Sequence, residues 1–382
     1  MNTNKRAITI DNGGSELRAI CNSNNDKQVI CMDKNITILS DGEPRIKESV
    51  EPFDIINITK APNSDFTGVY CVGSAYYMYG GVDISMDNQR HKAECSAWYQ
   101  QIILAIAQDA MRALLKANEE LGDGEEGGHT IAMPYDYTLV TLLPVSEHSG
   151  ATDYVQKIKA ELDGFYHARF PALNGECNEV SFNLYRDRIG VLPEGVVCMT
   201  HMSDIVTPND YTLILDVGHV SSDLSICRGT RLMGSSVITS PFAGGTIVKL
   251  IGGISAAHNV LSTTDMCVET LKTGKLAIGS KSLDINDELT TIKKTFVRNY
   301  LKNEVLREIE MSGITAANIR YVVPIGAVLG TQNPKTGERD ILQMIIDECS
   351  LDNAEVRMFD EDLRYVNIKA AANFCDAFSA RT

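Results

Sequence analysis

A duplicated α/β fold with a ligand cleft between matching halves is what this sequence predicts, and three observations predict it. An apolar run ending in Asp-x-Gly occurs twice, as Ala7-Ile8-Thr9-Ile10-Asp11-Asn12-Gly13 and as Tyr211-Thr212-Leu213-Ile214-Leu215-Asp216-Val217-Gly218. Each copy is followed by a second β-like run, and strand and helix patterns alternate through the rest of the chain. Ligands of such sheets sit outside the carboxyl ends of the strands, which is where both Asp-x-Gly turns fall.

The elements follow in order. Arg6–Ile10, Glu16–Cys21 and Gln28–Met32 read as a three-stranded meander separated by Asp, Asn, Gly and Ser turns. Residues 33–92, with Pro44, Pro52 and Pro62, read as an irregular inserted subdomain. Trp98, Ile102, Ile103, Ala105, Ile106, Met111, Leu114 and Leu115 recur near helical spacing and predict a long helix over 94–118, ended by the acidic glycine-rich stretch 122–128. A strand at 137–142, a helix at 153–162, strands at 165–170 and 180–185 and a short helix from Pro193 complete the first half. After the second Asp-x-Gly come a helix from about Gly245, an amphipathic helical region over 286–312, a strand at 320–325, and helices at 340–348 and 367–378. The domain reading is 1–209 plus 341–382 for the first domain and 210–340 for the second.

Composition narrows the function. A chain of 382 residues exceeds the size at which one core keeps growing, and 44% apolar with 22% charged residues is ordinary for a folded protein. The formal charge of −15 argues against direct binding to nucleic acid or to an anionic membrane, so any DNA would be reached through a partner. The ten cysteines include no C-x-x-C pair, which excludes a zinc ribbon or thioredoxin-type site. Cys21 and Cys227, for example, sit in apolar stretches and read as small buried hydrophobes, reduced in a cytoplasmic protein. The histidines are too scattered for a zinc enzyme, no run approaches the ~18 apolar residues of a membrane span, and no signal-peptide core follows Lys5-Arg6.

The chemistry is expected at the two turns. Asp11-Asn12-Gly13-Gly14-Ser15 places glycines where backbone N–H groups can approach a phosphate closely. Asp216-Val217-Gly218-His219-Val220 offers the same, with Asp223 as a further carboxylate. Two aspartates aimed at one cleft suit a magnesium ion that keeps its waters and bridges to phosphate oxygens. Glu194, just after Pro193, suits the first turn of a helix through the dipole, and Glu269, Lys272 and Lys275 have spacings that could share one helix face.

These motifs together resemble the actin-like ATPase superfamily, and within it the ParM-type plasmid-segregation actins, over essentially the whole chain. The fold implied is a pair of actin/ribonuclease-H-like domains flanking a nucleotide cleft. Asp11 to Arg18 is similar to the first phosphate loop, with Arg18 where filament-forming members carry a phosphate-contacting Lys; Asp216 to Asp223 is similar to the second, with His219 where many members have Gly. Val191-Leu192-Pro193-Glu194-Gly195 resembles the connecting segment whose Glu positions the attacking water. Phe242-Ala243-Gly244-Gly245-Thr246 resembles the glycine turn opening the first helix of the second domain, and Val322-Val323-Pro324-Ile325-Gly326-Ala327 the adenosine motif. Glu269 and Lys272 lie on a segment that contacts ribose in such proteins.

The resemblance implies Asp11 and Asp216 on magnesium through water, backbone amides of Asn12 to Ser15 and of Gly218 to Val220 around the phosphates, and Glu194 on the water. The expected protein is a filament-forming ATPase, with GTP an alternative substrate, that moves plasmid DNA in the bacterial cytoplasm through a DNA-binding adaptor and touches neither nucleic acid nor membrane. An MreB-like structural filament and a sugar or acetate kinase of the same superfamily are the alternatives.

Overall fold

The computed structural model describes residues 4–13, 16–23, 29–32, 35–39, 44–61, 66–79, 81–83, 91–121, 134–150, 152–173, 177–218, 222–240, 243–332, 337–359 and 362–381. The chain forms two compact units, one of residues 1–143, 151–192 and 371–382, the other of 144–150 and 193–370.

In the first unit the expected meander is present as β1 (Asn4–Asn12), β2 (Leu17–Cys21) and β3 (Val29–Met32), antiparallel throughout. The segment read as irregular instead adds β4 (Thr37–Leu39), β5 (Ile55–Ala61), β6 (Gly68–Cys71) and β7 (Val82–Asp83). These strands are short, and Pro44 and Pro52 fall outside them, so period-two alternation had too little length to show. With β8 (Tyr135–Leu143), β9 (Gly164–Arg169) and β10 (Glu179–Pro193) they make one sheet, ordered β3-β2-β1-β8-β10-β9-β5-β6-β4-β7. β1 and β8 are parallel neighbours, and β8 is buried along its whole length, as a central strand covered on both faces must be. Helix Ser96–Leu121 packs on β1 and β2 through Trp98, Ile102, Ile106 and Met111, all fully buried, before its last turns emerge into solvent. Asp153 caps helix Tyr154–Leu162 by accepting from the Gln156 N–H.

In the second unit β11 (Tyr211–Val217), β12 (Ser222–Arg228), β13 (Arg231–Ser240), β16 (Ile319–Ile325) and β17 (Glu355–Val356) form a sheet ordered β13-β12-β11-β16-β17, while β14 (Lys275–Ile278) and β15 (Lys281–Asp284) form a separate hairpin. β13-β12-β11-β16 repeats β3-β2-β1-β8 strand for strand: two antiparallel pairings, then a parallel one. The expected duplication is therefore real in topology as well as in motif. The amphipathic stretch 286–312 is one helical run, interrupted by a π-turn at Val297–Leu301.

The compact units are cut at 143/144, 150/151, 192/193 and 370/371. The reason lies in packing. Val196, Cys198, Met199 and Met202 on one side, and Ile341, Leu342 and Ile345 on the other, are buried in the core built around β11 and β16. The buried Lys293 also bonds both oxygens of Asp340 at 2.9 and 3.0 Å, fixing helix Asp340–Glu348 to the run that precedes it. Eight of the ten cysteines are buried and all are free, in line with the reading of them as small hydrophobes.

One buried charge has a measurable consequence. Glu308, in helix Lys302–Met311, is fully buried with neither carboxylate oxygen hydrogen-bonded, and burial pushes its carboxyl up to about 7. The folded state therefore holds this proton more tightly than the unfolded chain, so the contribution to stability is whole below pH ~4.5 and falls away as pH rises toward 7. Glu308→Gln, which does not titrate, is expected to flatten that dependence: thermal melts at pH 5 and pH 8 should differ less in the variant, by about 2–3 kcal/mol of stability. Equal pH slopes in variant and wild type would contradict it.

Candidate functional site

The two Asp-x-Gly turns close hairpins of identical register. In the first, Asp11 pairs with Arg18 and Asn12 with Leu17; in the second, Asp216 pairs with Asp223 and Val217 with Ser222. Each aspartate is thus the next-to-last residue of the first strand of its unit, with the residue seven positions on across from it, and directly opposed side chains share a face of the sheet. Those opposed residues differ in charge.

In the first unit, Asp11 is buried and its Oδ2 accepts from Arg18 Nη1 at 3.2 Å, while Arg18 Nε donates to Glu16 Oε2 at 2.9 Å. Arg18 is therefore engaged with this unit's own carboxylates. Asn12 turns inward: its Nδ2 donates to the Trp98 carbonyl at 3.1 Å and to Gln101 Oε1 at 2.8 Å, and its Oδ1 is buried with no partner. The side chain so anchors the start of the turn to helix Ser96–Leu121. Gly14 and Ser15 lie outside the described residues.

In the second unit, several segments converge on Asp216. Asn367 Nδ2 donates to Asp216 Oδ2 at 2.7 Å. Gly326, at φ +90°, lies so close that a Cβ there would stand 2.5 Å from the Val217 carbonyl oxygen and 2.8 Å from Asp216 Oδ1; its N–H donates to the Leu363 carbonyl. Gly195, at φ +69°, packs beside Asp216, since a Cβ on it would lie 3.9 Å from the Asp216 Cβ. Glu194 is part-buried in the turn before it. The short helix expected from Pro193 is a 3₁₀ turn over Val196–Met202, because Pro193 still belongs to β10 and Gly195 provides the left-handed break. Glu194 hence precedes the helix instead of occupying its first turn.

Gly218 follows the end of β11, and Ala327 opens the short helix Ala327–Gly330, for which Gly326 is the N-cap. His219 and Val220 lie outside the described residues. Gly244, Gly245 and Thr246 fall in the first turn of helix Ala243–Ala257, whose leading N–H groups have no intrahelical partner. Glu269 and Lys272 are exposed on helix Thr264–Thr273, but Lys275 is not on that helix, because Gly274 ends it in the left-handed conformation.

Two residues escaped the sequence reading. Asn367 carried no signal beyond a polar position near the start of a helix. Glu147, 6% exposed in helix Val145–His148, is a buried carboxylate just beyond the carboxyl end of β8. Placement outside a parallel strand's carboxyl end was the available clue.

Among the described residues, the oxygen donors at Asp216 are the opposed carboxylate of Asp223 and, in the same unit, the unpartnered buried Asn367 Oδ1 and Ser222 Oγ. Among the described residues no cluster of three or more His, Cys, Asp or Glu could hold a metal outright. That set fits magnesium, which keeps most of its waters and takes one or two carboxylates, and does not fit zinc.

No family model and no curated protein matches the sequence. Solved structures do match, over their full length. A 15-stranded ParM filament from Clostridium botulinum aligns at 14% identity, covering 98% of this chain and 100% of that one, with a TM-score of 0.61. An archaeal actin homologue in complex with ADP aligns at 13% identity over 97% and 99%, with a TM-score of 0.66. Bacillus thuringiensis ParM with AMPPNP aligns at 12% identity over 98% and 99%, with a TM-score of 0.59. Repeated strand order, matched register and end-to-end likeness agree that this chain has the two-domain actin-like fold of ParM proteins and archaeal actin homologues.

Proposed function

We propose that the protein is an actin-like ATPase that binds ATP with magnesium, assembles into filaments of its own copies, and hydrolyses the nucleotide as it does so. The observation that carries this reading is the shared register of the two hairpins, which sets an aspartate at the same place in each unit. The likeness to ParM in a filament, and to relatives solved with ADP and AMPPNP, supports it.

Phosphoryl transfer asks mainly for positioning and charge neutralisation. Asp11 and Asp216 would hold magnesium through water, and the ion, when bound, offsets charge on the β- and γ-phosphates. Backbone amides of the two turns, from Asn12 to Ser15 and from Gly218 to Val220, would cradle the phosphates. Arg18 would stay partnered to Asp11 until the γ-phosphate competes for it. Gly244, Gly245 and Thr246 present helix N–H groups to the nucleotide; Gly326 and Ala327 would face the adenosine, and Glu269 with Lys272 the ribose. Glu194 would orient the attacking water, and the burial of Glu147 supports it as the second candidate.

The biological role we propose is plasmid DNA segregation in the bacterial cytoplasm through a DNA-binding adaptor. Among the described residues no helix is long and apolar enough to cross a membrane, and the charge of −15 opposes direct DNA contact.

The test is light scattering alongside phosphate release after adding magnesium with ATP or with GTP. Scattering that rises at once, with phosphate following, is expected. Flat scattering, with phosphate transfer only when a small acceptor is supplied, would replace the filament by a kinase. Charge adds a second expectation. Copies carrying −15 repel as they stack, so moderate salt should lower the critical concentration by screening that field. A critical concentration that climbs steadily with salt from low ionic strength would contradict it.

A further inference from the structure

Both aspartates accept from a neighbouring side chain, but these two donors are chemically different. Asp11 accepts from a cation, Arg18, which it shares with Glu16. Asp216 accepts at 2.7 Å from a neutral amide, Asn367, which fixes the carboxylate and leaves its charge intact. The residue across from Asp216 is moreover a second carboxylate, Asp223, where the first hairpin has Arg18. Two opposed carboxylates at the end of β11 are a donor pair of the kind a magnesium ion takes.

Asn367 stands near the start of helix Val366–Ser379, 7% exposed, with its Nδ2 on Asp216 and its Oδ1 buried and unpartnered. A buried acceptor with no donor bears the full cost of its desolvation and so calls for one. We propose that Asn367 is the positioning residue of the magnesium site. Its Nδ2 holds the Asp216 carboxylate in place, and its own Oδ1 accepts a hydrogen bond from a water of the ion's shell. Outer partners of this kind typically account for about 10–100-fold in metal affinity. The proposal rests on the nucleotide reading above.

The test is a double-mutant cycle in the full-length protein, read by calorimetric titration of ATP with magnesium and of ATP with EDTA, together with the melting temperature. The gain in ATP affinity on adding magnesium is expected to fall about tenfold in Asn367→Ala, with the EDTA affinity unchanged. In an Asp216→Ala background the same substitution should remove nothing further, since its effect passes through that carboxylate. Asn367→Ser, too short to reach Asp216, should reproduce the loss if the alanine variant folds poorly. A full magnesium gain in the variants, with or without a lower melting temperature, overturns the proposal, as does a loss that adds in full to that of Asp216→Ala. Absence of any magnesium-dependent gain in the wild type overturns the nucleotide reading itself, a result distinct from either.

Discussion

Gly326→Ala is expected to destabilise the second unit by about 3 kcal/mol or more and to abolish nucleotide binding. The backbone at φ +90°, ψ 160° belongs to a region occupied essentially by glycine alone, and strain of that kind costs about 1–3 kcal/mol. Steric conflict adds to it. The new Cβ would sit 2.5 Å from the Val217 carbonyl oxygen, 2.7 Å from its carbon and 2.8 Å from Asp216 Oδ1, and two of those three atoms are main chain. β11 and β16 are parallel neighbours with Asp216 opposite Ile325, so relief can come only by prising their carboxyl ends apart. The same movement displaces Asp216 from Asn367 and disturbs the turn after Val217. Thermal unfolding should shift down by roughly 6–12 °C, at about 2–4 °C per kcal/mol for a unit of this size. Gly253→Ala, in an open helical position with nothing near its Cβ, should leave melting temperature and ATP affinity unchanged or slightly improved. Near wild-type ATP affinity in Gly326→Ala would sink the idea that the close approach of these strands builds the site.

The duplication was legible because both strands that carry it are central, apolar and closed by the same short turn. The long helix was legible for a related reason: its first half is buried around Trp98 and Ile102, so apolar residues mark it at every turn. The segment 33–92 was opaque because strands of two to seven residues, paired at a sheet's edge, show no periodicity of their own and owe their conformation to partners distant in sequence. The site divides in the same way. Asp11 and Asp216 sit inside local motifs and could be named from them. Asn367 reaches Asp216 across 151 positions of chain, a relation that only the folded second unit creates. The charges of Arg18 and Asp223 were visible, but their equivalence was not, since it depends on the register of two hairpins.

Glu194→Ala is expected to lower the rate of phosphate release by about 10²–10⁴ while leaving ATP-induced assembly in place, the usual range for losing a positioned proton acceptor. Assembly should persist because Glu194 lies in a turn outside the core clusters and the β-ladders, so truncating it opens no cavity. Its place in the chain argues for the role: the adjoining Gly195 abuts Asp216, which fixes this turn beside the second aspartate. Glu147→Gln is the matched comparison. Glu147 is the more buried of the two and lies on a short helix whose Val145 shares a core with Val196 and Met199, the residues that follow Glu194. Glutamine keeps its shape and removes its basicity, so packing is preserved and only proton acceptance is lost. With Glu194 on the water, Glu147→Gln should hydrolyse within a few-fold of wild type. If Glu147→Gln instead assembles into long-lived filaments that release little phosphate while Glu194→Ala turns over normally, the attacking water belongs to the buried carboxylate beyond β8. A loss of similar size in both would mean that the two carboxylates act on one water as a unit, which the double variant, no slower than either single one, would confirm.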